Sequence, residues 1–270
     1  MCDNVNTTQN AQWGSHDNSF IAQQINNYGV PVEQMPGMII DATFRLFHQY
    51  FPQLQKEALE EVHRMLEEKL RRIPSENIVP PAARIAIPTL QNASITEERD
   101  IRELYATLLA NSMNKKEKNG IHPSFSNIIA QLTPDEAKFL SYMQDNTSIP
   151  TISLRAQNKE MSGITVVSNF TNLGEKIGCE MPNRVDEYLD NLERLGLIKN
   201  MGDLGSLTDK KLYEPLRKHP YIISQMQEIE KWPELNLPQI SESYAQLTNF
   251  GKAFCKACCE VNDTVTVTLI

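Results

Sequence analysis

Three cysteines near the C-terminus are the first residues whose spacing could do chemistry. Cys255, Cys258 and Cys259 place a Cys-x2-Cys pair within one short run. Thiolates at that spacing can clasp zinc, but a tetrahedral site needs further ligands at suitable spacing. Cys179 lies far upstream, and no histidine follows closely. On a helix the three share one face at i, i+3 and i+4, where cysteine behaves as a small apolar side chain. Core packing is the first expectation for Cys255, Cys258 and Cys259; a metal site and a redox sensor are the alternatives.

The histidines (His16, His48, His63, His122 and His219) are scattered, none at ligand spacing from a glutamate or second histidine on a helix. His122, just before Pro123, suits a cap or turn. No Gly-x-x-x-x-Gly-Lys-Ser/Thr, Gly-x-Gly-x-x-Gly or Gly-x-Ser-x-Gly occurs. The sequence therefore announces neither a phosphate cradle nor a nucleophile elbow. Acids are plentiful, but no pair is set apart by apolar neighbours that would shift a pKa. The expectation is a protein without a reaction or cofactor of its own.

Among the elements, the run Met181 to Ile198 stands out. Val185, Tyr188, Leu189, Leu192 and Leu195 repeat on one face of a 3.6-residue period. Asn183 is the expected cap, and Gly196 the stop before a strand at Leu197-Ile198. A helix closing on Leu-Gly-Leu-Ile before a strand reads like the third helix of a winged-helix domain. Charge argues against a DNA-reading role. Residues 182–198 carry two bases against four acids, and Ser124 onward carries 14 Lys and Arg against 19 Asp and Glu. A helix in the major groove draws its affinity mostly from Lys and Arg. The outward residues Arg184, Glu187, Asn191 and Arg194 suit a protein partner better. Lys210-Lys211, Arg217-Lys218 and Lys252 with Lys256 are the local basic candidates, none of them on this helix.

The 270 residues carry a net charge of −8, with 40 % hydrophobic residues, enough for a core. Neither nucleic acid nor anionic lipid is attracted by that balance. The start, Met1-Cys2-Asp3-Asn4, has no basic leader, and no uncharged apolar run approaches the roughly 20 residues that span a bilayer. Five cysteines, three of them crowded, do not make a secreted disulfide framework. A cytoplasmic protein is expected.

Residues 1–30 contain no Lys or Arg and are rich in Asn, Gln, Ser and Thr. Trp13, Phe20, Ile21, Ile25 and Tyr28 are interleaved with Gln24, Asn27 and other amides. Such a segment cannot order itself alone by burial, although uncharged amide tracts can stack as strands. Disorder and self-assembly are the two readings. The apolar run from Val30 to Phe51 has Arg45 as its only base, too few for a membrane-surface helix.

Gln53 to Ile73 is the clearest long helix, with Leu59, Val62, Leu66, Leu70 and Ile73 in one stripe, closed by Pro74. Pro80 and Pro81 suit the first turn of a short helix that Pro88 would kink or end. Ser94-Ile95-Thr96-Glu97 reads as a capping box for a helix through Met113. A helix through Ile128, Ile129 and Leu132 follows. Thr133-Pro134-Asp135-Glu136 opens another. Strands are expected at Ile149–Leu154, Gly163–Val167, Leu197–Met201 and Ser243–Leu247. A short helix is expected at Leu173–Ile177, a helical run broken by Pro215 and Pro220 at Asp209–Lys231, and a last helix capped by Thr248. Thr264 to Ile270 alternates as an edge strand would.

The run Leu104 to Met113, His122 to Phe125 and Gln131 to Ala137 resembles the Abi-alpha family of bacterial proteins. So do Asn169-Phe170, Leu173 to Glu175, Gly178 to Glu180, Tyr188 to Ile198 and Leu247 to Phe254. The resemblance covers roughly residues 65 to 260. It implies a mostly helical cytoplasmic protein of abortive infection, the bacterial response that halts a phage at the infected cell's expense. It implies no catalytic residues.

The expected organisation is an Asn/Gln-rich segment at 1–31, an α-helical domain at 32–146, a winged-helix-like α+β domain at 147–260 and a strand or tail at 261–270. The fold class is mainly α, a helical bundle followed by a winged-helix-like α+β module. The expected role is phage defence by protein recognition, with a partner encoded beside the chain or derived from the phage. A homo-oligomer is compatible with this. A DNA-binding regulator and an effector assembling through the N-terminal segment are the rival readings.

Overall fold

The computed structural model describes residues 35–50 and 56–260. The assembly candidates Trp13, Phe20, Ile21, Gln24, Ile25, Asn27 and Tyr28 lie outside the described residues, as does the alternating run Thr264–Ile270. The fold is mainly α, with one four-stranded antiparallel sheet. Backbone contacts divide it into two compact units. Among the described residues, the first holds 35–134 with 256–260 and the second 135–255. That division runs at 134/135, twelve residues before the expected 146/147.

The first unit holds α1 (Met35–Tyr50), α2 (Lys56–Leu70), α3 (Ala83–Ser94), α4 (Arg99–Met113) and α5 (Phe125–Ile129). The stripe read from sequence is real in α2: Leu59, Val62, Leu66 and Leu70 are all buried. It meets the buried face of α4, where Ile101, Leu104, Tyr105, Leu108, Leu109 and Met113 point inward. α1 adds Ile39, Ile40, Phe44 and Phe47 against α2. Its polar tie is His63 Nε2 to Asp41 Oδ1 at 3.2 Å, and Phe44 lies edge-on to the His63 ring. Residues 256–260 are held by Lys69, which pairs with both Glu103 and Glu260, and by Asn111 Nδ2 donating to the Ala257 carbonyl at 2.9 Å.

Local readings fail here in instructive ways. Ser94 does not open α4. It ends α3, buried, with its hydroxyl on the Gln91 carbonyl, and α4 starts at Arg99 without a side-chain cap. Pro88 does not end α3, since the helix runs on to Ser94. It lies just past the first turn, where it costs one backbone bond, and tertiary burial of Ile85, Ile87 and Leu90 outweighs that. Pro80 and Pro81 precede the helix, whose N-cap is Ala82. α5 stops at Ile129, short of Leu132.

The second unit holds α6 (Pro134–Asp145), β1 (Ser148–Gln157), β2 (Gly163–Phe170), α7 (Leu173–Lys176), α8 (Val185–Arg194), β3 (Ile198–Asn200), α9 (Glu214–Arg217), α10 (Pro220–Ile229), β4 (Leu237–Leu247) and the start of α11 (Asn249–Cys258). The strand order is β2-β1-β4-β3. β1 and β4 pair continuously from Ser148↔Gln246 to Gln157↔Leu237, so β4 begins earlier than its sequence suggests. Ile152, Leu154, Ala156 and Val167 pack with Tyr213, Leu216, Ile222 and Ile229 in one core. The Tyr213 hydroxyl donates to the Ser243 carbonyl at 2.7 Å and accepts from Leu207 N–H. Pro215 and Pro220, expected to break one helical run, instead each fall in the first turn of a separate helix, α9 and α10.

The margins of the sheet are irregular. β2 loses register twice against β1, between Ile152 and Leu154 and again before Arg155, and Asn169 takes a left-handed φ of 49°. β3 covers only Ala245 to Leu247 of β4. The rest of that margin carries Pro238 and Glu242, the latter paired with Lys210 and Arg217.

Candidate functional site

α8 earns its ends differently at each terminus. Asn183 is not its cap. Pro182–Arg184 form a 3-10 turn, the N-cap is Arg184, and no side chain closes the helix start. The proline fixes the backbone one residue earlier than a side-chain cap needs. At the other end Gly196 has φ 73°, Gly196 N–H bonds the Glu193 carbonyl at 2.8 Å, and Leu197 N–H bonds the Leu192 carbonyl at 3.0 Å. This is the full left-handed stop. Thr248 then ties the next turn of chain: its hydroxyl lies 2.6 Å from the Gly196 carbonyl and accepts from Gly251 N–H at 2.8 Å, capping α11 as expected.

Val185, Tyr188, Leu189 and Leu192 are buried, which fixes the outward face. Below it sits an anchor the sequence did not announce. Asp135, in the first turn of α6, is buried and accepts Glu180 N–H at 2.9 Å, Met181 N–H at 3.0 Å, the Tyr188 hydroxyl at 2.9 Å and Lys138 Nζ at 3.2 Å. Burial alone would raise its pKa. The Met181 and Glu180 amides, the Tyr188 hydroxyl and the Lys138 ammonium outweigh it and bring the carboxyl to about 2. A carboxylate so saturated is a poor base and a good fastener. Beside it, Cys179 is pushed up to about 11 by burial and by the Asp135 charge, so at neutral pH it is a thiol and a weak nucleophile. Glu136, also buried, accepts from Asn191 Nδ2 at 2.8 Å.

Of the four residues expected on the outward face, two pairs emerge. Arg184 and Glu187 form a two-pronged ion pair that raises the arginine's pKa and lowers the glutamate's, and both side chains are about half exposed. Arg194 donates to Asn191 Oδ1 at 3.0 Å through Nε and at 2.7 Å through one terminal nitrogen. Asn191 thus faces inward as well, linking Arg194 to Glu136. Asp186, Glu187, Asp190, Glu193, Arg184 and Arg194 are the exposed charges of this helix. Glu193 is engaged by Asn200, through N–H at 3.1 Å and Nδ2 at 2.8 Å.

A second cluster was also invisible in sequence. His219 caps α10 by accepting Tyr221 N–H on Nδ1 at 3.3 Å, and its Nε2 lies 3.1 Å from Glu175 Oε1. The Nδ1 acceptor role places the proton of the neutral ring on Nε2, facing the carboxylate. Both nitrogens are engaged, and Phe170 stacks at 5.0 Å, so the ring is clamped in a structural role. Glu175 lies 44 residues away, and no local spacing could have paired them.

The cysteines follow the apolar reading in place: Cys255 and Cys258 are buried on α11 and Cys259 just past its end, and burial pushes the Cys258 thiol well up. Cys255 Sγ lies 3.7 Å from the Leu140 carbonyl. Among the described residues, no group of three or more His, Cys, Asp or Glu side chains could hold a metal ion. The basic candidates are largely met by acids: Lys210 and Arg217 by Glu242, Lys218 by Glu214, Lys256 by Glu117. No helix among the described residues is long and apolar enough to cross a membrane.

No curated protein sequence matches this chain. One solved structure is similar, that of an uncharacterized protein from the hydrocarbon-degrading marine bacterium Alcanivorax borkumensis SK2. It shares 17 % identity over 53 % of this chain and 94 % of its own, with a TM-score of 0.37, which supports no conclusion. The family model for abortive infection alpha matches residues 54–258, which takes in α2 through α11 and every residue of the Asp135 anchor. With three quarters of its length matched, in both units, the chain belongs to the abortive infection alpha family.

Proposed function

We propose that this abortive-infection protein acts in phage defence by recognising another protein through the outward face of α8, without catalysis of its own. The carrying observation is electrostatic. Asp186, Glu187, Asp190 and Glu193 are exposed along one helix against Arg184 and Arg194, and the helix is fastened from beneath by Asp135 and Glu136. A face of that sign repels phosphates and attracts a basic protein surface, while the rigid fastening reduces the ordering cost of docking. The unit is winged-helix-like in this reading. The order α6, β1, α7, α8, β3, β4, with β4 between β1 and β3, supports it; β2 and the helices α9 and α10 are additions to that plan. In a DNA-reading winged helix the third helix would need the opposite charge.

Phage plating on cells expressing the chain tests the proposal. Asp186→Lys with Asp190→Lys, both exposed, is expected to abolish protection with an unchanged circular dichroism spectrum. Full protection from that variant would remove α8 as the contact. Purified protein that turns over nucleotide or cuts nucleic acid unaided would remove the non-catalytic reading. A mobility shift at about 150 mM salt would restore the DNA reading, because a negative helix binds poorly there.

A further inference from the structure

The first unit contains a cavity of about 340 Å³ where α1 meets the end of α2. Its lining is mixed: Ile40, Leu70 and Ile73 are apolar, and Glu67, Arg71 and Ser75 supply polar groups. Gly37 lines it from α1, and a side chain added there would meet nothing within 4 Å. A void of this size beside buried Ile40 and Leu70 forfeits contact on one side of both. The α2 residues of this cavity lie within the family-matched stretch, and the α1 residues lie before it. The cavity therefore forms where a helix outside the family match docks on the family's own body.

We propose that this cavity is a docking site for the chain's own N-terminal segment, with Tyr28 as the anchor. Thirty-four residues precede Met35, and that segment ends two residues from Gly37, at the cavity itself. A lining that mixes apolar side chains with polar groups fits a side chain with an apolar body and a polar tip, which is what tyrosine offers. Tyr28 is the nearest such residue upstream; Trp13 is much farther away along the chain. Six residues separate Tyr28 from Met35, and Gly29 and Pro31 among them suit the reversal that would bring the ring back. Docked this way, the anchor holds the uncharged amide-rich stretch against the body and keeps its strand-forming residues from meeting another copy. The inference rests on the first unit alone and stands apart from the role proposed for α8.

Amide hydrogen exchange of the full chain, read over peptides of residues 20–34, 37–44 and 66–75, tests it. Tyr28→Ala is expected to speed exchange in all three about tenfold, as a local docking lost rather than a global unfolding. Gly37→Leu fills the space from within α1. It is expected to free residues 20–34 while leaving 37–44 as protected as before, so the readouts part company. Unchanged exchange in Tyr28→Ala, or residues 20–34 as protected in Gly37→Leu as in the parent chain, would overturn the proposal. Protection of residues 20–34 that falls on dilution would assign the site to a second copy's tyrosine and overturn docking within one chain.

Discussion

α8 and α1 are both amphipathic helices docked by an apolar stripe, yet they are fastened by different means. Beneath α8 a buried carboxylate gathers four donors, a second buried acid takes Asn191, and Gly196 closes the helix with two backbone bonds. α1 has Ile39, Ile40, Phe44 and Phe47 on α2, a His63–Asp41 contact and a cavity beside Ile40. Apolar burial is non-directional, so it places a helix without fixing it. Buried polar bonds are directional and costly to leave half-made, so they fix one register. A helix meant to present a constant face needs the second kind.

That contrast can be broken most severely at Asp135. Asp135→Ala strands the Glu180 and Met181 amides and takes one acceptor from the Tyr188 hydroxyl and the Lys138 ammonium, which keep the Met181 and Gly178 carbonyls, and is expected to cost about 3 kcal/mol in urea unfolding at pH 7. The pH dependence has a definite sign. The folded carboxyl titrates near 2 and the unfolded one near 3.8, so its contribution is complete above pH 4 and disappears as pH falls toward 2. The difference between parent and Asp135→Ala should therefore shrink across that window. A constant difference from pH 7 to pH 2 would show that the carboxylate's charge is not what fastens α8.

Smaller effects sharpen the comparison. Leu66→Ala, in the close-packed middle of α2, is expected to cost about 3 kcal/mol, whereas Ile40→Ala, beside the cavity, should cost about 2 kcal/mol because its surroundings already lack contacts. Equal costs would mean that α1 packs as tightly as the centre of its unit. Tyr188→Phe keeps the ring against Phe139 at 6.0 Å and removes the donor to Asp135 and to the Met181 carbonyl. About 1 kcal/mol is expected from thermal unfolding, less than Asp135→Ala because the carboxylate keeps its other donors. Gly37→Ala should go the other way, gaining about 0.5 kcal/mol from helix propensity in open space. A loss there would place some other group against residue 37.

The sequence was informative wherever one element decides its own form. The stripe of α8, the stop at Gly196 and the Thr248 cap all depend on residues within a few positions of one another. The expectation failed where a neighbour in space overruled a local signal. Ser94 looks like a cap until the burial of α3 claims it, and Pro88 looks like a break until Leu90 and Ile87 hold the helix together. Asp135 was legible as a first-turn acid favourable to its own helix, but its partners at 180, 181 and 188 come from another segment. His219 with Glu175 is hidden for the same reason. Arg184 and Glu187 were rightly placed outward by periodicity, whereas the inward half of Asn191's bonding follows only from α6 lying beneath it.

A sheet with two open margins is a template on which further strands can condense. Neither margin of this sheet is flat. Two register breaks and a left-handed Asn169 disturb β2, while β4 beyond the reach of β3 carries Pro238, which has no N–H to offer, and the doubly paired Glu242. Among the described residues, strand addition therefore meets an irregular margin on both sides of this sheet.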